Sequence, residues 1–145
     1  MGSVAEATAS FISASLSENT DGRNKEELAL LGTALADVQA MVGALVKYSK
    51  AAAAEPTAVY KVGEHAVSLL MSVGDLLIGY LLLRQAMVAQ AALDSGASPR
   101  DADFYAGKLA GAHWFTRNVL PELTARRGII ENADGSLMEV AEGAF

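Results

Sequence analysis

The sequence predicts an all-α protein, an up-and-down bundle of about four helices that ends in an irregular tail. Alanine and leucine dominate the composition, whereas the β-branched and aromatic residues that favour strands are sparse. Apolar residues recur at intervals of three and four over long stretches, which is the periodicity of amphipathic helices. The segments between these stretches are short and rich in turn residues, and short connections favour antiparallel neighbours.

The first two helices are expected over residues 4–17 and from Asn24 to the residue before Pro56. Asn24 and Glu27 resemble a capping box, and a residue that precedes proline is disfavoured in helical dihedrals. The apolar residues of the second helix step by three and four, which predicts a seam packed at a shallow angle against a neighbouring helix. This seam comprises Leu28, Leu31, Leu35, Val38, Val42 and Leu45.

The third helix, expected over residues 58–93, is the centre of the predicted fold. Residues 66–83 are apolar on every side of this helix, and Asp75 is the only charged residue among them. A helix of this kind has to be surrounded by protein or lipid. The 18-residue run meets the lower limit for a membrane span, but Asp75 within it and the amphipathic helices on both sides favour a core helix. We therefore expect a rod roughly 50 Å long, bent near Gly74 or Gly79 and covered by its neighbouring helices.

The fourth helix is expected to begin at Ser98, because Ser98 and Pro99 are an N-cap residue and a residue favoured in the first helical position. It continues through a kink at Pro121 to a C′ glycine at Gly128. Residues 129–145 are expected to form the tail. The whole chain, 1–145, is predicted to be a single helical domain, in which residues 1–3 are interpreted as an expression scar.

The tight connection between the third and fourth helices predicts which of their residues lie at the same height. Asp75 is then level with Arg117, and an ion pair between them would explain a carboxylate in an apolar run, which we favour over a general base. The same register places Trp114 opposite Gly79, where the absence of a side chain would admit the indole ring.

The charge distribution argues against nucleic-acid binding. The net charge is −6, both ends of the chain are acidic, and residues 19–130 carry equal numbers of acidic and basic residues. There is therefore no basic face to displace counterions from phosphates. The absence of cysteine and of a basic region before an apolar stretch at the amino terminus predicts a cytoplasmic protein.

No residue pattern in the sequence indicates a reaction centre. His65 and His113 have neither the spacing of a zinc site nor that of a di-iron bundle, and the glycines form no phosphate-binding loop. We therefore predict no catalytic, cofactor-binding or metal-binding residue. Arg117, Arg126 and Arg127 remain candidates for contacts with the phosphates of a nucleotide ligand or with an interface, although Arg126 and Arg127 also suit the end of a helix.

Two stretches of the sequence resemble a known family. They are residues 73–86 and residues 103–121, and the second contains Phe104-Tyr105-x-x-Lys108 followed by Asn118-Val119-Leu120-Pro121. Together they are similar to the helical extension at the carboxyl end of long acyl-CoA dehydrogenases, the group that includes 3-methylmercaptopropionyl-CoA dehydrogenase. The end of the chain is similar to that of actinobacterial members.

The resemblance implies a parent enzyme that binds FAD and oxidises an acyl-CoA in fatty-acid metabolism, with a glutamate as the base and the flavin as hydride acceptor. It implies that these parts lie upstream of this chain, and no residue here matches the catalytic glutamate or a flavin contact. We therefore expect an accessory domain without activity of its own that packs on the catalytic domains. The alternatives are a free-standing helical interaction module and a split-gene subunit that acts in trans.

Overall fold

A computed structural model of the chain describes Ser10, residues 12–14 and residues 23–144. Over these residues the protein is built from helices and turns, without strands, which confirms the predicted all-α class. Four α-helices follow one another along the chain: α1 (Lys25–Ala51), α2 (Ala58–Asp94), α3 (Pro99–Asn118) and α4 (Glu122–Glu131). Two short 3₁₀ helices, Ser136–Glu139 and Glu142–Ala144, follow α4.

Side-chain contacts at both ends show that α1 and α2 are antiparallel. Arg23, just before α1, forms an ion pair with Asp94 at the end of α2. At the opposite end, the Lys61 ammonium of α2 lies 5.5 Å from the centre of the Tyr48 ring of α1. Hydrogen bonds from Arg23 and then Gln90 hold the pKa of the Asp94 carboxyl below its usual value.

Helices α3 and α4 together run back along the bundle beside α2. The Lys108 ammonium of α3 donates to the Gln85 side chain of α2 over 3.3 Å, at the height that the tight connection predicts. Farther along, the Tyr48 hydroxyl at the end of α1 donates to the carbonyl of Ile130 in α4 over 2.9 Å. The up-and-down course predicted from the short connections is therefore the one that the helices follow.

The core lies where the inner sides of the four helices meet. The predicted α1 seam contributes to it, since Leu31, Leu35, Val38 and Leu45 are buried and Leu28 packs against them. The core is completed by Ile12, Met41, Leu76, Tyr80, Leu83, Leu120, Leu123 and Ile130.

Ser98 caps α3 as predicted, with its hydroxyl accepting a hydrogen bond from the backbone N–H of Asp101 over 3.3 Å.

The first predicted helix falls mostly outside the described residues. Ser10 and residues 12–14 are helical, and the side chain of Ile12 is completely buried in the core. The rest of the predicted helix at residues 4–17 lies outside the part of the chain that the structure describes.

The capping box predicted at the start of α1 is wrong. Asn24 adopts a left-handed conformation with φ of 55°, and its side chain does not cap the helix. Its Oδ1 atom lies 2.9 Å from Nε2 of His113 in α3. Glu27 is buried and forms an ion pair with Arg117. Both side chains are thus used in tertiary contacts with α3 instead of local ones.

The predicted fourth helix is two helices, because the chain breaks at Pro121 where a kink was expected. Proline has no N–H group to donate and its ring crowds the carbonyl four residues earlier, and here α3 ends at Asn118. Pro121 is the N-cap residue of α4. Gly128 was predicted to terminate the helix but lies within α4, so the tail begins after Glu131 and not at residue 129.

The break also corrects the partner predicted for Gly79. A side chain on Gly79 would start 3.0 Å from the Cδ2 atom of Leu120, which occupies the space proposed for the indole of Trp114. Trp114 is 62% exposed. Ala112 and Thr116 mark the buried side of α3, and Trp114 is two residues, or about 200° of helical rotation, from each. The indole therefore lies on the side of α3 opposite to its buried residues.

Gly74 and Gly79 both lie within α2, which is assigned as one continuous helix from Ala58 to Asp94. The bend expected near one of these glycines stays a prediction.

Replacing Ile130 by alanine is expected to destabilise the chain by about 2–5 kcal/mol, because it leaves a cavity in the core. Its neighbour Ile129 provides a matched control, since it has the same side chain on the same helix but is 63% exposed. Ile129→Ala should change the free energy of unfolding by less than about 0.5 kcal/mol. Urea unfolding of the two variants measures the difference, and similar losses would contradict the packing described for α4.

Leucine substitutions at the two α2 glycines are expected to have opposite effects on stability. Gly79→Leu should cost about 1–3 kcal/mol because the new side chain overlaps Leu120. Gly74→Leu meets no atom within 4 Å at its Cβ and should stabilise the helix by up to about 0.8 kcal/mol through its better helix propensity. Thermal unfolding of both variants checks the comparison. A Gly79→Leu variant as stable as the parent chain would show that Leu120 does not fill this space.

Candidate functional site

Helix α2 is apolar on two opposite faces, and only one of them is buried. The inner face contacts the other helices through Ser72, Leu76, Gly79 and Leu83, all of which are buried. The residues between these positions point to the opposite side. We call the large exposed apolar residues on this side the outer face; they are Val67, Leu70, Met71, Leu77, Ile78, Leu81 and Val88.

The exposure of the outer face contradicts the prediction that the rod is covered by its own neighbours. Leu70 is 69% exposed, and Val67 and Val88 are each 68% exposed. The reason is geometric. Helix α1 and the α3–α4 pair lie against the inner face, and no described element lies over the outer one. The apolar residues that were expected to be core residues are therefore on the surface of the described chain.

A surface of this kind indicates an interaction site. The helix between Val67 and Val88 rises about 32 Å, at 1.5 Å per residue, so the outer face extends along more than half of α2. Single apolar residues on a surface are ordinary, but a continuous apolar stripe marks a contact with protein, ligand or lipid. Fully burying one aliphatic side chain of this size contributes roughly 1.5–3 kcal/mol.

A groove between α2 and α3 continues the outer face at its carboxyl-terminal end. Its volume is about 540 Å³. The Lys108 ammonium lies in the lining of the groove, where it donates to Gln85 and is 5.4 Å from the centre of the Phe104 ring. The groove carries two cationic residues and no acidic one among its lining residues, which are Leu81, Arg84, Gln85, Val88, Ala89, Phe104, Tyr105 and Lys108.

By length and composition alone, α1 and α2 are apolar enough to cross a membrane. The core helices of a bundle have the same properties. Buried acidic residues argue for the second interpretation, since Glu27 and Asp37 lie on the inner side of α1 and are held by arginines from α3 and α4.

The ion pair predicted between Asp75 and Arg117 is not formed. Nη1 of Arg126 in α4 lies 2.6 Å from Oδ2 of Asp75, and both side chains are mostly buried. Arg117 instead pairs with Glu26 at 2.9 Å and with Glu27 at 2.7 Å. The predicted pair is therefore wrong: the break at Pro121 brings α4 beside Asp75, so the arginine that pairs with Asp75 is Arg126 and not Arg117.

Asp37 is the most buried of the carboxylates that pair with arginines of α3 and α4. It was not among the residues predicted from the sequence. The Thr124 hydroxyl donates to its Oδ2 atom over 2.6 Å, and Nη1 of Arg127 lies 3.1 Å from its Oδ1 atom. Hydrogen bonds to Asp37 and then Glu131 raise the pKa of Arg127 above its usual value. A signal for Asp37 was present: it lies three residues after Ala34 and four residues before Met41, on the buried side of α1.

The three arginines that were candidates for CoA phosphates are each held by carboxylates of the chain. Arg117 pairs with acidic residues of α1, Arg126 with Asp75 and Glu122, and Arg127 with Asp37 and Glu131. A phosphate at any of them would share the guanidinium group with a carboxylate that is already bound. Arg126 and Arg127 also do not cap the end of a helix, because the last turn of α4 contains no basic residue. We conclude that these arginines connect helices.

The described residues include neither a phosphate-binding glycine loop nor a cluster of metal ligands. A flavin dinucleotide needs donors for its two phosphates, and the described helices provide neither a glycine loop nor an arginine without a carboxylate among Arg117, Arg126 and Arg127. No group of three or more potential metal ligands occurs among the residues described. His113 contacts Asn24, and His65 is buried on α2 with its Nε2 atom unpaired.

Replacing Arg127 by glutamine is expected to lower the stability of the chain, because the buried Asp37 charge keeps only Thr124 as a partner. Arg100→Gln, an equal change of charge at an exposed position of α3, is the control and should have little effect. In the double variant Asp37→Asn/Arg127→Gln the loss should be smaller than the sum of the two single losses. Additive losses in urea unfolding would show that the two side chains are not coupled.

Comparison with known proteins identifies the domain. The family model described as "Acetyl-CoA dehydrogenase C-terminal like" matches residues 3–141. The broad-specificity linear acyl-CoA dehydrogenase FadE5 of Mycobacterium tuberculosis is 54% identical over 125 residues, which cover 86% of this chain and 20% of FadE5. Butyryl-CoA dehydrogenase of Syntrophomonas wolfei subsp. wolfei is 32% identical over 81 residues, which cover 55% of this chain and 13% of that enzyme.

The chain thus spans about a fifth or less of the length of these relatives. The family match covers nearly all of it, and the helical architecture agrees with the extension that the sequence resembles. The chain belongs to the acetyl-CoA dehydrogenase C-terminal-like family, the helical carboxyl-terminal domains of acyl-CoA dehydrogenases.

Proposed function

We propose that this chain is the accessory carboxyl-terminal domain of an FAD-dependent acyl-CoA dehydrogenase of fatty-acid metabolism, and that it packs on the catalytic domains through the outer face of α2. The observation that carries this proposal is the exposure of that face. The domain leaves the side chains of Val67, Leu70, Leu81 and Val88 exposed, and an exposed apolar surface of this size is typical of a contact with another protein surface. Catalytic domains that make up the rest of the parent enzyme would complete it.

The proposed domain contributes no reacting group. Its buried acids, Glu27, Asp37 and Asp75, are all paired with arginines that connect helices, so none is available as a base for the α-proton of an acyl-CoA. The open groove beside Lys108 has no acidic residue in its lining. The flavin and the glutamate that the family resemblance implies would therefore belong to the upstream domains, and the reaction would take place there.

The parent enzyme is proposed to act in the cytoplasm. The relatives are dehydrogenases of acyl-CoA thioesters by name. In this arrangement both faces of the longest apolar helix would contact protein: the inner face within the domain, and the outer face on the catalytic domains. A free-standing interaction module and a subunit supplied in trans would use the same outer face. The mixing experiment below separates the free-standing module from the proposed arrangement.

The purified 145-residue chain is expected to show no flavin absorbance in the visible range and no acyl-CoA-dependent reduction of an artificial electron acceptor. The full-length parent enzyme should show both. Visible spectra and a dye-reduction assay on the two preparations provide the test, with free FAD added to the chain as the control for loss of cofactor. A yellow, active 145-residue chain would overturn the assignment of a non-catalytic domain.

The catalytic part of the parent, expressed without this domain, should bind the 145-residue chain when the two are mixed. Co-elution in size-exclusion chromatography measures this association. Leu70→Glu should weaken it, since a charge would be buried in the contact, whereas Ile129→Glu on α4 serves as an exposed apolar control outside the outer face. If the unmodified chain does not bind the catalytic part at all, the chain is a free-standing module and the proposal is wrong.

A further inference from the structure

The spacing of the outer face indicates the shape of its partner. Exposed or half-exposed positions recur in steps of three and four along α2, at residues 67, 70, 74, 77, 81, 84 and 88. A repeat of this period stays on one side of a helix and meets a second helix that runs nearly parallel or antiparallel to it. The stripe is about 32 Å long, so a partner helix of about 20 residues would cover it. An irregular loop would not match this repeat over the same length.

The middle of the stripe has room for a large partner side chain. Gly74 lies between Leu70 and Leu77, and a Cβ atom added to it would meet nothing within 4 Å. A bulky apolar residue of the approaching helix would pack there as a knob between the flanking residues. The partner helix should therefore have an apolar stripe with a large residue near its centre.

Charge distinguishes the two ends of the stripe. At the carboxyl-terminal end the groove contains Arg84 and Lys108 and no acidic residue among those that line it. Lys108 contacts an uncharged amide and an aromatic ring there. A helix lying on the outer face would bring its own side chains over this groove, and a carboxylate at that height would complement the Lys108 ammonium.

The length of the relatives favours a partner within the same polypeptide over a second copy of this domain. The chain corresponds to 20% of FadE5, so about four fifths of such an enzyme lies outside the residues seen here. A segment joined covalently to this domain has an effective concentration of the order of millimolar. A second copy at ordinary cellular concentrations would not compete with it.

We infer that the outer face of α2 binds an amphipathic helix of the upstream catalytic part, placed along α2 with its apolar stripe on Val67 to Val88 and an acidic side chain over the groove at Lys108. The inference rests on the proposed function and adds the kind of element that is bound, its course and its charge.

The test is site-specific photo-crosslinking in the full-length parent enzyme. A photoreactive amino acid is placed at Leu70 or at Leu81 on the outer face, and at Ile129 on α4 as the control. Mass spectrometry of the products should identify one helical peptide from the upstream part. The position in this peptide that is crosslinked to residue 81 should be nearer to an acidic residue than the position crosslinked to residue 70. The Ile129 position should not yield this peptide.

Charge substitutions test the acidic contact separately. Lys108→Glu is expected to reduce the Leu81 crosslink severalfold, whereas Lys25→Glu, the same change of charge at an exposed position of α1, should leave it unchanged. Exchanging the acidic residue found in the crosslinked peptide for lysine should restore the yield in the Lys108→Glu enzyme. Because rescue requires a folded complex, it separates a lost ion pair from a misfolded variant.

Three results would overturn the inference. Crosslinks from the outer face to a second copy of this domain would identify a dimer interface, and crosslinks to lipid when vesicles are present would identify a membrane surface. Crosslinks to the upstream part from Ile129 but not from Leu70 or Leu81 would place the contact elsewhere. This result would also remove the outer face from the proposed function, but it would leave the assignment of an accessory carboxyl-terminal domain intact. Failure of the chain to bind the catalytic part would instead remove the proposed function itself.

Discussion

The structure depends on one constraint: α2 is apolar around its whole circumference, and the helices of its own domain cover only one side of it. Helix α1 and the α3–α4 pair bury Leu76, Tyr80 and Leu83 on the inner face, while Leu70 and Val88 on the outer face remain exposed. An apolar helix surface in water is unfavourable at each uncovered side chain. The domain therefore has a folded core of its own and, on the same helix, a surface that suits a larger assembly.

Buried charge determines where α3 and α4 lie on this framework. The acidic residues Glu27 and Asp37 on α1 and Asp75 on α2 each receive an arginine from α3 or α4. A buried carboxylate without a partner is costly, so arrangements of the bundle that separate these pairs are disfavoured more strongly than apolar contacts alone would disfavour them. The same pairing explains why arginines that look suitable for phosphates in the sequence serve to connect helices in the fold.

The helix class, the order of the helices and most of the α1 seam could be predicted from local patterns, because period, caps and turn residues act over a few positions. The partners of Asp75, Gly79 and Trp114 could not. They depend on the rotation of α3 about its axis and on the break at Pro121, which brings Leu120 against Gly79 and Arg126 against Asp75. An apolar run in the sequence also does not indicate whether the residues that cover it belong to the same domain or to another one. For this reason the expectation that α2 is covered on all sides was wrong. The prediction that the chain lacks a reaction centre rested on the absence of sequence motifs alone.

The uncovered side of α2 has a consequence for the order of synthesis. In the arrangement proposed here the catalytic domains are encoded upstream, so they leave the ribosome and fold before α2 is made. The exposed leucines and valines would then be synthesised when the folded surface that covers them is already present, so they would be exposed to water only briefly. A gene order with this domain first would leave the same stripe uncovered during translation, open to aggregation and to capture by chaperones.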